Sequence, residues 1–170
     1  MSAIRSRVTS ALRRFVLLGA ASLVLGACGG GGHSGHDMGP GADGASSVGH
    51  PAEAAKAGRT IEVRMLDTLR FDPASINVKE GETVTFRLVN TGQQVHEFDL
   101  GDEQFQTEHE KEMQDMGSGH QMADHPNAVS VKPGETRQLT WTFTKRASIV
   151  YGCHQPGHYA AGMKGTVAVS

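Results

Sequence analysis

Cysteine is nearly missing from this chain. There are two, Cys28 and Cys153. An even count in an exported protein ordinarily suggests a disulfide, but each is placed for a different task, so no covalent staple is expected. Basic patches are missing too. The only charges before Cys28 are Arg5, Arg7, Arg13 and Arg14, and without them 12 basic residues stand against 18 acidic ones, net −6 with histidine neutral. No nucleic acid partner is expected, and a mildly acidic surface suits a basic protein partner. Long apolar runs are also lacking: residues 15–25 form an apolar stretch, but one too short for a comfortable transmembrane helix.

What is present falls into three parts. Residues 1–27 read as a signal peptide, with four arginines, the apolar stretch and then small residues. Leu25-Gly26-Ala27-Cys28 is similar to a bacterial lipobox, which would make Cys28 the first mature residue and a lipidation site that ties the protein to a membrane. Arg13-Arg14 leaves both the Sec and the twin-arginine export routes open. The expected location is the periplasmic or cell-surface side. Residues 28–58 are Gly-rich and polar, include Pro40 and Pro51, and show no apolar periodicity. That composition predicts a lipid-anchored flexible linker with a reach of roughly 30 Å. His33, His36, Met38 and His50 within it read either as tolerated polar residues or as weak metal-capturing groups.

From Arg59 the pattern changes to period two. Ile61, Val63 and Met65 alternate with Glu62 and Arg64; Val84, Phe86 and Leu88 with Thr85 and Arg87; Leu139, Trp141 and Phe143 with Thr140 and Thr142. Short alternating runs split by Gly and Pro turns predict an all-β domain over 59–170, an antiparallel β-sandwich. Residues 101–127 interrupt it. The stretch from Asp102 to Met116 is charged and has no β-branched residue except Thr107, which predicts a helical insertion. His109, Met113 and Met116 share one face of it, and His120, Met122 and His125 follow. Two readings stand side by side: methionines packing a helix against the sandwich, or a second, labile copper site of soft ligands.

The densest chemistry lies in 151–163. Cys153, His158 and Met163 follow one another as Cys-x4-His-x4-Met beside Pro156-Gly157 and Gly162, and His96 opens an apolar run upstream. Two imidazoles, one thiolate and one weak axial thioether are the ligand set of a type 1 (blue) copper centre. Soft sulfur favours Cu(I) and imidazole suits both oxidation states, so one electron can pass with little rearrangement. The alternative is a Gly-rich loop with incidental histidines and a buried free thiol, which leaves Cys153 without a purpose. Catalysis is not expected: an enzyme would need an open metal position or further histidines, yet His-x-His pairs are absent and no second Cys lies near Cys153 to build a two-copper centre.

These residues resemble the cupredoxins, the plastocyanin, azurin and rusticyanin group, and the resemblance covers about residues 60–170. It implies a Greek-key sandwich with one copper held by His96, Cys153, His158 and Met163. The ligand-loop length is most similar to rusticyanin. Val95-His96-Glu97-Phe98, the Met/His-rich insertion and the ending Pro156-Gly157-His158-Tyr159 with Gly162-Met163 together are similar to periplasmic cupredoxins associated with copper resistance. Two positions depart from the family's habit: Glu97 stands where Asn is common, and His154 where Ser or Thr is common. Both change the groups around the ligands. Glu97 reads either as an acceptor for backbone N–H groups of the Cys153 loop or as a solvated rim carboxylate. The resemblance implies copper handling in the cell envelope with one-electron redox capability. A dedicated blue-copper carrier, paired with a redox protein such as a cytochrome or copper oxidase, is the competing expectation.

Overall fold

The computed structural model describes residues 47–116 and 125–170. The expected signal peptide, Cys28, most of the expected linker, His120 and Met122 lie outside the described residues.

The alternating runs form two five-stranded sheets packed as a sandwich. In spatial order, β1 (Gly49–Pro51), β8 (Thr136–Phe143), β5 (Thr83–Asn90), β2 (Arg59–Leu66) and β3 (Arg70–Asp72) make one; β4 (Ser75–Val78), β10 (Lys164–Val169), β9 (Ala147–Gly152), β6 (His96–Gly101) and β7 (Ala128–Val131) make the other. The sandwich is as expected, but its sheets are mixed rather than purely antiparallel. β2 runs parallel to β5 and β4 parallel to β10. Alternation reports which face is buried, not the direction of the neighbouring strand. Here the chain crosses to the second sheet at β4 and returns at β5, which leaves β2 and β5 pointing the same way.

Of the stretch 28–58 expected as linker, the described part includes a short strand against the sandwich. Gly49–Pro51 pairs with the edge of β8, Gly49 opposite Phe143, and Val48 is buried in the core. A three-residue strand containing Pro is too short to show a period, and it sits at a sheet edge, where Pro is tolerated.

The inward residues of both sheets build one core. Phe98 of β6 sits at its centre, 5.2 Å from Phe86 across the sandwich and stacked on Tyr151 at 5.0 Å. Phe71 meets Tyr151 edge-on at 5.2 Å. Each buried aromatic of this kind contributes on the order of 2–3 kcal/mol by removal from water. On the outer face of the first sheet the threonines of the alternating runs pair across strands, Thr83 with Thr142 and Thr85 with Thr140, both at 2.8 Å.

Helix α1 (Glu103–Met116) follows β6 directly. Asp102 caps it, its Oδ1 accepting the Phe105 N–H at 2.8 Å. The helix returns over the outer face of the second sheet, so every residue of β6 is buried. Phe105 and Met113 are buried on this side of the helix. Gly101 lets the helix approach: a side chain there would meet the Phe105 ring.

Candidate metal centre

The four residues singled out by spacing come from three pieces of the fold. His96 is the first residue of β6, Cys153 follows β9, and Met163 precedes β10. Strands β9 and β10 are antiparallel neighbours with Gly152 opposite Lys164. That pairing brings the two ends of the loop together, and the Cys153 N–H donates to the Met163 carbonyl at 3.1 Å. Inside the loop His158 N–H donates to Gln155 O at 2.8 Å and Met163 N–H to His158 O at 2.9 Å. The turns require left-handed backbone at Gly157 (φ 81°) and Gly162 (φ 92°), which glycine adopts without steric cost. The same strand alternation that buries Phe98 turns His96 inward from β6.

One ligand atom from each of His96, Cys153 and His158 lies within 4.8 Å of the others. Cys153 Sγ is 3.4 Å from His158 Nδ1 and 3.9 Å from His96 Nδ1, so both imidazoles present Nδ1 to the sulfur. Cys153, His96 and Met163 are fully buried and His158 nearly so. The Glu97 backbone N–H donates to Cys153 Sγ at 3.3 Å, a charge-assisted bond once the sulfur is a thiolate. His96 Nε2 has no hydrogen-bond partner and faces Asp67 Oδ1 at 3.6 Å. Asp67 in turn accepts the N–H of Gln93 at 2.9 Å, in the loop leading to His96.

The electrostatics suit a cation. Burial pushes the Cys153 thiol up to about 12; N–H groups of Glu97 and Gln155 pull the other way, and the charges of Glu97 and Glu110 add to the rise. Burial lowers His96 and His158 below the usual imidazole range, which keeps both neutral and able to ligate. A water-excluded pocket offering one sulfur and two neutral imidazoles fits a soft or borderline ion such as copper.

Glu97 is not a solvated rim carboxylate; as the other reading expected, it accepts a backbone N–H of the Cys153 loop, that of His154. It is buried, and Gln155 Nε2 donates to its Oε1 at 2.7 Å. Burial raises its pKa; the bonds from Gln155 and from the His154 backbone oppose that rise.

The insertion places its residues differently from one another. His109 and Met113 are both buried. His109 Nε2 is 3.0 Å from Asp99 Oδ2, and its ring stacks on Phe105 at 5.6 Å. Met116 ends the helix, and His125 is exposed beyond it. The sequence reading passed over Asp67, Gln106 and Glu110. A signal for Gln106 was available: Gln106, His109 and Met113 share a helical face, so the buried stripe includes a polar residue in need of a partner.

The family of copper binding proteins named for plastocyanin and azurin matches residues 59–170. The copper-resistant cuproprotein CopI of Rubrivivax gelatinosus is 45% identical over 142 residues, covering 80% of this chain and 85% of that protein. The protein of the same name in Pseudomonas aeruginosa is 41% identical over 150 residues, covering 72% and 82%. Among solved structures, reduced auracyanin from Roseiflexus castenholzii superposes with a TM-score of 0.58 at 30% identity, covering 67% of this chain and 98% of that one. The sandwich, the His96, Cys153, His158 and Met163 cluster and these matches agree: the chain belongs to the plastocyanin/azurin family, the cupredoxins, whose members bind copper and are not enzymes.

Proposed function

We propose that this protein is an exported type 1 copper protein that handles copper in the cell envelope, supports copper tolerance and carries one-electron redox capability. The observation that carries the reading is the buried convergence of Cys153 Sγ with two imidazole Nδ1 atoms at 3.4 and 3.9 Å. His96, Cys153 and His158 would hold the ion, and Met163 would add a weakly binding thioether. Copper in such a set supplies a one-electron couple. The chain's own part is to hold the donor atoms in place before loading, keep both imidazoles neutral and exclude water. The relatives named as copper-resistant cuproproteins support tolerance rather than respiration as the purpose.

Lipid attachment at Cys28 belongs to the same proposal, motivated by Leu25-Gly26-Ala27-Cys28. Mass spectrometry of protein made in its own host tests it, and a mature N-terminus elsewhere refutes it. Further Cu(I) held by His109, Met113, Met116, His120, Met122 and His125 is the remaining part. The burial of His109 and Met113 narrows it, since His109 would have to leave Asp99 to bind.

A second reading, a dedicated blue-copper carrier, is favoured by one feature. Pro156, Gly157, Ala160 and Ala161 form an exposed, weakly polar rim around the nearly buried His158. Such a rim suits brief docking of a redox partner such as a cytochrome or copper oxidase.

The test of the copper assignment is direct. Loaded with Cu(II), the wild-type protein should show an intense sulfur-to-copper charge-transfer band in the visible, blue or green. Cys153→Ser should remove the band and leave the sandwich folded. A band that survives in that variant refutes the assignment.

A further inference from the structure

Cys153 and His154 are adjacent in sequence and face opposite sides of a sheet. Alternation along β9 turns Ile149, Tyr151 and Cys153 into the sandwich, so His154 emerges beneath α1. There it is almost fully buried and held on several sides. Its Nε2 lies 2.7 Å from Gln106 Oε1 and its Nδ1 2.8 Å from Glu110 Oε2, one helical turn further on. Tyr159, the neighbour of His158, stacks on the ring at 4.5 Å.

Gln106 is itself pinned. Its Nε2 donates to the Asp99 carbonyl at 2.8 Å and to the Val150 carbonyl at 3.1 Å. One side chain of the helix therefore grips both strands that deliver ligands, β6 with His96 and β9 with Cys153, as well as the residue after the cysteine. Gly152 lets the helix sit this close: a Cβ there would lie 2.5 Å from Gln106 Oε1.

We propose that α1 is a clamp on the metal centre, and that Gln106, Glu110 and His154 are positioning residues that fix how Cys153 presents its sulfur. This rests on the reading of the centre as type 1 copper. A helix that merely covered a sheet would need only apolar contacts, and Phe105 and Met113 supply those. The polar grip instead falls on the ring of His154, the residue after Cys153, and on the Asp99 and Val150 carbonyls of the flanking strands. Fixing the His154 side chain and the strand ends in this way fixes the backbone from which Cys153 presents its sulfur. Outer partners of this kind typically change metal affinity about 10- to 100-fold when removed.

The experiment uses the full chain loaded with Cu(II), in the variants Gln106→Leu, His154→Ala and Glu110→Gln, with His154→Gln as the conservative replacement. Folding is checked by circular dichroism and thermal melting. Gln106→Leu and His154→Ala should change the relative intensities of the sulfur-to-copper bands, shift the reduction potential in a common direction and lose copper to a chelator roughly 10-fold more readily or worse. His154→Gln should recover part of the wild-type spectrum, because its amide nitrogen replaces the ring Nε2 and can donate to Gln106 Oε1. Glu110→Gln, which keeps an acceptor and lies outside the loop, should give a smaller change of the same kind. Folded Gln106→Leu and Glu110→Gln proteins with wild-type spectra, potential and copper retention would overturn the clamp while the copper reading stands. A wild-type protein with no charge-transfer band would instead sink the copper reading, and the clamp with it.

Discussion

A single sulfur shows how much the fold does before any metal arrives. Cys153 is fully buried, and its thiol is pushed up to about 12, chiefly by that burial. The metal-free protein should therefore keep a protonated, shielded thiol at neutral pH, unlike a reactive cysteine, whose thiolate is favoured and exposed. Iodoacetamide should alkylate native metal-free protein far more slowly than the same protein in denaturant. Equal rates would show that the pocket opens freely. The ligands themselves were legible in the sequence. Three of them follow at fixed spacing in one loop, and His96 opens a strand. Their supports were not. Asp67 reaches His96 from the turn after β2, and Gln106 and Glu110 reach His154 from a helix, contacts that only the folded chain creates. Glu97 was noticed because its residue type was unusual, yet its burial depends on α1, whose return over β6 no local pattern announces.

Helix α1 is the element whose role changed most between sequence and structure. Its extent was readable from the charged run between Asp102 and Met116, but its docking surface was not. That surface is held by a buried pair, His109 with Asp99, and Asn127 Nδ2 donates to the second oxygen of Asp99 at 3.2 Å. The groups facing His109 are Asp99, Glu97, Glu112 and His154. Burial disfavours the charged ring, but the Asp99 hydrogen bond and the charges of Asp99, Glu97 and Glu112 together raise its pKa above the ordinary value of 6.5. The sign follows from linkage. A histidine with a raised folded pKa adds stability that is complete below its unfolded pKa and fades as pH rises through the folded one. His109→Leu should therefore cost on the order of 3 kcal/mol below about pH 6, because it leaves a buried carboxylate with Asn127 as its remaining side-chain partner. The cost should shrink well above neutrality. Urea denaturation of the metal-free pair of proteins across this range is the check, and a cost that grows with pH would reverse the assignment. The strands divide in the same way: β2, β5 and β8 could be read from alternation, while β1 and the parallel pairings depend on sheet edges and crossovers that period two does not encode.

At the scale of the whole molecule, two regions of soft ligands share one chain: the buried centre, and the Met/His-rich stretch that begins inside α1 and continues past it. The strand from His96 carries the chain away from the copper loop, and α1 brings it back on the other face of the sheet. Among the described residues, Gln106 and Glu110 of α1 meet the outer side of β6, β9 and His154 as structural support, and copper bound along the stretch would be a separate load. Thioether and imidazole ligands without a thiolate favour Cu(I) and bind it more weakly than a type 1 set. Met113 is buried, so Met113→Leu alone should act as a volume-conserving change costing less than about 1.5 kcal/mol and should leave copper stoichiometry unaltered. Replacing Met113, Met116 and Met122 together with Leu should keep the charge-transfer spectrum while lowering both the number of Cu(I) ions bound and the copper tolerance of the host. Competition titration with a Cu(I) chelator and growth in copper measure the two effects. If the triple variant binds as many ions and protects as well as wild type, the methionines serve packing alone, the centre is the chain's whole copper load, and the blue-copper carrier becomes the better account of this protein.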